Sequence, residues 1–307
     1  MSWDRVERLI GKQNLAHLAG QRVAIIGLGS GGGFVALSLA MSGVGHFILV
    51  DDDTLEPANV VRHVADARDV GRPKAEAVAD LIRRRNPQAE IETRVGRLEH
   101  NLDVLDRVDL VISAVDGEGP KYVLNQACLE RRLPAVYAGV YERGEGGDVV
   151  VIHPYEGPCY ACWAAELREG LNRSRGEVEE LDYGMIGPDG TLDAEPGLWL
   201  HVARVAGAQA DLALNELLRG TDVQRTMPGN TVILANTELE IIHGQISLPY
   251  SAVWATVERD PHCLVCGDLM RRHAALEDEH AHENAVSLTE LVDRTGIILE
   301  EDNDGDE

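Results

Sequence analysis

The chain has 307 residues, 44% of them apolar, enough for one large domain or two ordinary ones with a substantial core. Its 28 Lys and Arg stand against 52 Asp and Glu, a formal charge of −24, which disfavours a nucleic-acid or anionic-membrane binder because such binding needs a basic face. The longest apolar runs fall short of the ~18–20 residues that span a bilayer, and the polar start Met1-Ser2-Trp3-Asp4-Arg5 is unlike a signal peptide, so a cytoplasmic protein is expected.

Val6, Leu9, Ile10, Leu15 and Leu18 recur at helical spacing, with Gly20 as a stop. Arg22–Leu28 is a short β-branched run that enters glycines, the pattern of a buried strand in a parallel sheet. Residues 34–42 predict a helix, His46–Val50 a second strand ending in Asp51-Asp52-Asp53, and Pro73 the start of a helix over 74–82. Strands are expected near 90–95, 108–115 and 134–138, with a helix over 119–132. This alternation predicts an α/β fold, a Rossmann-like doubly wound mixed sheet. Residues 163–197, rich in charges, glycines and prolines, read as a long irregular connection of the kind that is usually functional. A helix over 198–218 follows, and Thr231–Leu234, Leu239–Ile242 and Ala252–Val257 are expected to close the sheet as antiparallel strands. From Ala275 onward acidic residues face a single basic one, Arg294, so Glu300–Glu307 reads as a solvated tail.

Gly27-Leu28-Gly29-Ser30-Gly31-Gly32-Gly33 follows a strand and opens a helix. Such glycines allow a tight turn, and free N–H groups at the helix start attract phosphate. Asp51, at the tip of the next strand, is placed to accept from ribose hydroxyls, which suits any nucleotide, NAD included. Beyond Asp53 lie Asn59, Arg62 and Gly71-Arg72-Pro73-Lys74. A hydride-transfer cofactor needs no second set of cations near its phosphates, whereas a triphosphate does. Asp116 lies on the carboxyl edge of the sheet, where a carboxylate beside a triphosphate is a natural Mg²⁺ partner.

Cys159-Tyr-Ala-Cys162 and Cys263-Leu-Val-Cys266 begin 104 residues apart. Two such knuckles supply the four thiolates of a structural Zn²⁺ and leave no position open for a catalytic water. The expectation is a staple, remote from the chemistry. Cys128 reads as a small core residue and His262 as a surface residue.

In this order, Gly27-x-Gly29-x-x-Gly32, Asp51-x-Asp53, Asn59-x-x-Arg62, Gly71-x-Pro73-Lys74 and Asp116 resemble the ThiF/MoeB/HesA family, prokaryotic relatives of the ubiquitin-activating enzymes, over about residues 3–270. The resemblance implies a homodimeric enzyme that uses ATP and Mg²⁺ to adenylate the C-terminal glycine of a small ubiquitin-fold or sulfur-carrier protein, releasing pyrophosphate. It implies Asp51 on the ribose, with Gly27, Gly29, Ser30, Gly32 and Asp53 around the nucleotide, Asn59, Arg62 and Lys74 on the phosphates, and Asp116 on Mg²⁺. Family members also project an N-terminal arginine onto the partner's ATP, a place that Arg5 fits by its spacing to Gly11, with Arg8 the alternative. Many members carry the cysteine pairs in these two places. The chain departs from the pattern at Gly117, where the family usually has Asn, and in Ser30 and an extra Gly33. Some relatives pass the activated glycine to a cysteine beyond the first knuckle. No cysteine lies between Cys162 and Cys263, so adenylation without a thioester step is expected. The alternatives are a catalytically weak binding module for a ubiquitin-like protein and, behind it, an NAD-dependent oxidoreductase, which leaves Arg62, Lys74 and both cysteine pairs unexplained.

The chain thus divides into an N-terminal helix (1–20) that would carry the arginine across a dimer, a nucleotide-binding part (21–155), a zinc-stapled part with the crossover loop and the protein-substrate surface (156–272), and the acidic tail (273–307).

Overall fold

Short β-branched runs bounded by helices pair in parallel and are covered on both faces, as their near-continuous apolar character requires. The computed structural model describes residues 2–175, 185–186, 192–193, 197–242 and 244–268. In chain order the elements are α1 (Asp4–Ile10), α2 (Lys12–Gly20), β1 (Arg22–Ile26), α3 (Ser30–Met41), β2 (His46–Asp51), α4 (Lys74–Arg85), β3 (Glu90–Val95), β4 (Leu110–Ser113), α5 (Glu118–Glu130), β5 (Ala135–Val140), β6 (Gly146–Ile152), α6 (Tyr160–Arg175), β7 (Met185–Ile186), β8 (Leu192–Asp193), α7 (Trp199–Leu217), β9 (Thr231–Ala235), β10 (Leu239–Ile242), β11 (Gln245–Ser247) and β12 (Ala252–Ala255).

Eight strands form one sheet in the order β12-β9-β6-β5-β4-β1-β2-β3. The five from β3 to β5 run parallel, and β6, β9 and β12 extend the β5 edge antiparallel. The expected doubly wound mixed sheet is present, with two corrections. The Leu239–Ile242 strand pairs with β11 in a separate hairpin and does not join the sheet. A strand not foreseen, β6, lies between β5 and β9.

Alternation along the central strands supplies two cores. Val23, Ile25, Phe47, Leu49, Leu110 and Ile112 pack with α3, α4 and α7 on one face. Ala24, Ile26, Ile48, Val50 and Val111 pack on the other with Leu124 and Cys128 of α5 and Tyr160 and Trp163 of α6. Each fully buried large aliphatic group contributes about 1.5–3 kcal/mol, so the period-two pattern fixes which face each strand presents.

Two helical readings also change. Gly11, at φ 84°, breaks the N-terminal helix in two, and α1 buries none of its residues. The region expected to be irregular from residue 163 begins as helix α6. The rest of that connection, apart from β7, β8 and residues 197 and 198, lies outside the described residues, as does the acidic tail. No helix among the described residues is long and apolar enough to cross a membrane.

The chain runs from β1 outward through β2 to β3, then returns to the other side of β1 as β4. The crevice above the carboxyl ends of β1 and β4, where the strand order reverses, is the ligand position of such sheets.

Candidate nucleotide site

Strand register sets Ile26 beside Val50 and Ser113, so Gly27, Asp51 and Ala114 follow together at the carboxyl edge. Gly27 has φ 88°, and a Cβ on it would lie 2.6 Å from the Ala114 carbonyl oxygen. A Cβ on Gly32 would fall 1.9 Å from the Gly27 carbonyl oxygen. Glycine at both places is what lets the turn fold over the strand end. At Gly29 a Cβ would meet nothing within 4 Å, so the turn presents open space there. No side chain caps the start of α3, which opens at Ser30, and its first N–H groups are left for an anion.

Asp51 is buried; its Oδ2 accepts the Leu28 N–H at 2.5 Å and its Oδ1 the Asp53 N–H at 2.8 Å. Burial pushes the Asp51 carboxyl above the usual range, against the pull of those two N–H groups and of Lys74. A carboxylate offers about four lone-pair sites, so acceptor capacity remains for ribose hydroxyls. Asp53 is largely exposed, and its Oδ2 receives the buried Lys74 Nζ at 2.5 Å. Lys74 opens α4, where a cation opposes the helix dipole. That placement is unfavourable for the helix alone and suits an anionic ligand.

Asn59 and Arg62 lie on a 3₁₀ turn over Pro57–Arg62. The Asn59 Oδ1 accepts the Glu56 N–H at 2.9 Å, closing a capping box. Arg62 is half-buried and, among the described residues, has no hydrogen-bond or ion-pair partner. Asp116 is exposed beyond the end of β4. At Gly117 a Cβ would lie 3.3 Å from Cδ of Pro120, in the first turn of α5. Arg8 pairs with Asp4 at 3.0 Å on exposed α1, whereas Arg5 is exposed and unpaired among the described residues.

His63, to which no sequence signal points, is buried beside the turn, its Nε2 2.7 Å from the Leu28 carbonyl oxygen and its Nδ1 accepting the Ala65 N–H at 3.0 Å. A polar cluster beyond Asp116 is likewise without a sequence signal. Lys121 lies 3.4 Å from Glu118, and the Tyr160 hydroxyl donates to the Glu118 carboxylate at 3.1 Å. Asp148, at the start of β6, is fully buried near Lys121, and burial pushes its carboxyl up to about 6.

The four cysteine sulfurs lie within 4.8 Å of one another, with Cys159–Cys162, Cys159–Cys263 and Cys162–Cys266 separations of 3.7, 3.8 and 3.4 Å. Zn–S bonds of about 2.3 Å in a tetrahedron place sulfurs about 3.8 Å apart, so the cluster fits zinc. A Cβ on Gly267 would strike the Cys263 carbonyl oxygen at 2.4 Å, and the Val265 N–H lies 3.4 Å from the Cys263 Sγ, the close turn of a metal knuckle. The cluster is less remote than expected. Tyr160, between two of its ligands, reaches Glu118 at the start of α5, two residues beyond Asp116. Cys128 is buried, as expected, and burial pushes its thiol up to about 12. His262 is exposed, also as expected.

Residues 4–270 match the model of the ThiF family. A SAMP-activating enzyme E1 of Haloferax volcanii is 33% identical over 163 residues, 52% of this chain and 59% of that protein. A sulfur carrier protein ThiS adenylyltransferase of Escherichia coli is 31% identical over 194 residues, 61% of this chain and 73% of that protein. The chain spans 28% to 59% of the length of the first four curated relatives it matches. Among solved structures, Escherichia coli MccB in a crystal with ATP has a TM-score of 0.59 at 20% identity, covering 83% of this chain and 69% of that one, a likeness of fold.

Proposed function

Because the chain belongs to the ThiF family, matching its model over residues 4–270, we propose that it uses ATP to adenylate the C-terminal glycine of a ubiquitin-like or sulfur-carrier protein. The observation that carries this reading is the uncapped glycine turn at the strand-order reversal, with Lys74 buried at the start of α4 and paired to Asp53, and Arg62 without a partner among the described residues. An uncapped helix start and two cations that follow it in the chain are groups suited to negative charge. An NAD site has no use for Arg62 and Lys74.

The reaction asks for little proton transfer. The glycine carboxylate, already ionised, forms an O–P bond to the α-phosphorus while the bond to the β-phosphate oxygen breaks and pyrophosphate leaves. The barrier is electrostatic, an anion approaching a polyanion. Arg62, Lys74 and the first N–H groups of α3 would hold the phosphates, Asn59 would donate to them, and Asp51 would accept from the ribose. Asp116 would hold Mg²⁺, which when bound neutralises phosphate charge. Arg5 of a second copy would add a further cation, and exposed α1, with Leu9 82% exposed, supports a homodimer built through that end. With Cys128 buried as a protonated thiol and no cysteine between the two knuckles, the product is the acyl-adenylate, without a thioester in this chain.

The test is exchange of radiolabelled pyrophosphate into ATP, with magnesium and purified ubiquitin-fold proteins ending in glycine from the same genome. Exchange with one of them is the expected result, and none with any would overturn the reading. Hydride transfer from NADH would favour an oxidoreductase.

A further inference from the structure

We propose that His63, working with Gly33, is a positioning residue that sets the gap between the glycine turn and the segment bearing Asn59 and Arg62, and that it holds this gap as the neutral imidazole. The proposal rests on the nucleotide reading above. The Ala65 N–H donates to Nδ1, so in the neutral ring the proton is on Nε2, which donates to the Leu28 carbonyl oxygen at 2.7 Å. The N–H of the same residue, Leu28, is held by Asp51 Oδ2. Leu28 stands between Gly27 and Gly29 at the head of the turn. It is therefore clamped from two sides, by the tip of β2 and by the residue that follows Arg62.

The extra glycine is what admits this clamp. A Cβ at Gly33 would lie 2.8 Å from Val64 Cγ2 and 3.5 Å from His63 Nε2. A methyl there would crowd Val64, so its side chain or the 63–64 segment would have to shift.

A protonated ring would turn Nδ1–H toward the Ala65 N–H, donor against donor, and the clamp would open. The charged groups around the ring are Lys74 of α4, Asp51 of β2 and Asp69 of the turn over residues 67–69. Burial is the largest influence and favours the neutral ring; Lys74 adds to it, and the two carboxylates and the Leu28 carbonyl oppose it.

The experiment uses full-length protein, ATP with magnesium as the probe, calorimetric binding from pH 5 to 8, and ¹⁵N imidazole spectra. H63L should bind ATP about tenfold more weakly at pH 7.5, and G33A, with the imidazole intact, should fall similarly. H63Q, which keeps one donor and one acceptor, should stay within about threefold of the unaltered protein and lose its acid decline. The free ring should carry its proton on Nε2. Unchanged ATP binding by H63L, or the proton on Nδ1, would overturn the proposal. Should H63L not fold, an acid decline present in the unaltered protein and absent from H63Q supports it, and the same decline in both overturns it. If the unaltered protein binds no ATP, the nucleotide reading falls while the ring spectrum still decides the clamp.

Discussion

Arg62 and Asp148 are both charged residues near the crevice, and their surroundings predict opposite behaviour. Arg62 has no partner among the described residues, so Arg62→Ala removes no hydrogen bond or ion pair that supports the fold. Exchange of pyrophosphate should slow by roughly 10²–10³, as for loss of one preorganised charge donor, while the melting temperature stays unchanged by calorimetry. Asp148 is the reverse case. Its folded-state pKa of about 6 lies above the ordinary 3.8, so the folded protein binds the extra proton between those values. Stability attributable to this group is greatest below pH 3.8, declines as pH rises through 6, and is flat above. Asp148→Asn should raise the melting temperature by a few degrees at pH 8, with the gain shrinking toward pH 4; a gain equal at both would contradict the burial account. Asp51, Arg62 and Lys74 stand out in the sequence because they follow a glycine turn in a fixed order, and the structure puts Asp51 at the strand end beside that turn. His63 does not, because its meaning lies in a contact with Leu28, 35 residues away.

Elements carry the next distinction. Gly32 and Gly29 belong to one motif yet meet different neighbours, backbone at 1.9 Å for the first and nothing within 4 Å for the second. Gly32→Ala should therefore lower the melting temperature by several degrees, an overpacking cost of about 1–3 kcal/mol or more. Gly29→Ala should melt as the parent does but bind ATP at least about tenfold more weakly, if phosphate fills that space; calorimetry with and without ATP separates the two. Strands and helices around the sheet were readable from their apolar period. The hairpin of β10 and β11 was not assignable, because a four-residue apolar strand states which face it buries and not which strand it pairs with. Helix α6 was hidden for a related reason. Tyr160, Trp163 and Ala164 bury its first turn, but charges soon follow and the first knuckle overlaps its start.

At the scale of the molecule, the cysteine spacing was the most direct signal, because four ligands define a metal site whatever the fold between them. Linking points 104 residues apart restrains the unfolded chain by about 4–5 kcal/mol if it acts as a covalent closure does. Cys263→Ser, or removal of zinc by a chelator, should lower the melting temperature by roughly ten degrees, with metal content read by mass spectrometry. The spacing alone sets this site apart from the chemistry, because nothing local in the sequence says where Tyr160 reaches. Its hydroxyl ends at Glu118, at the head of the helix that follows Asp116, and its ring stacks on Tyr137 of β5 at 4.7 Å. Loss of a metal from this cluster would thus loosen the corner at Glu118, two residues past the aspartate proposed to hold Mg²⁺. A shortage of zinc would then reach the proposed nucleotide site as well as the fold.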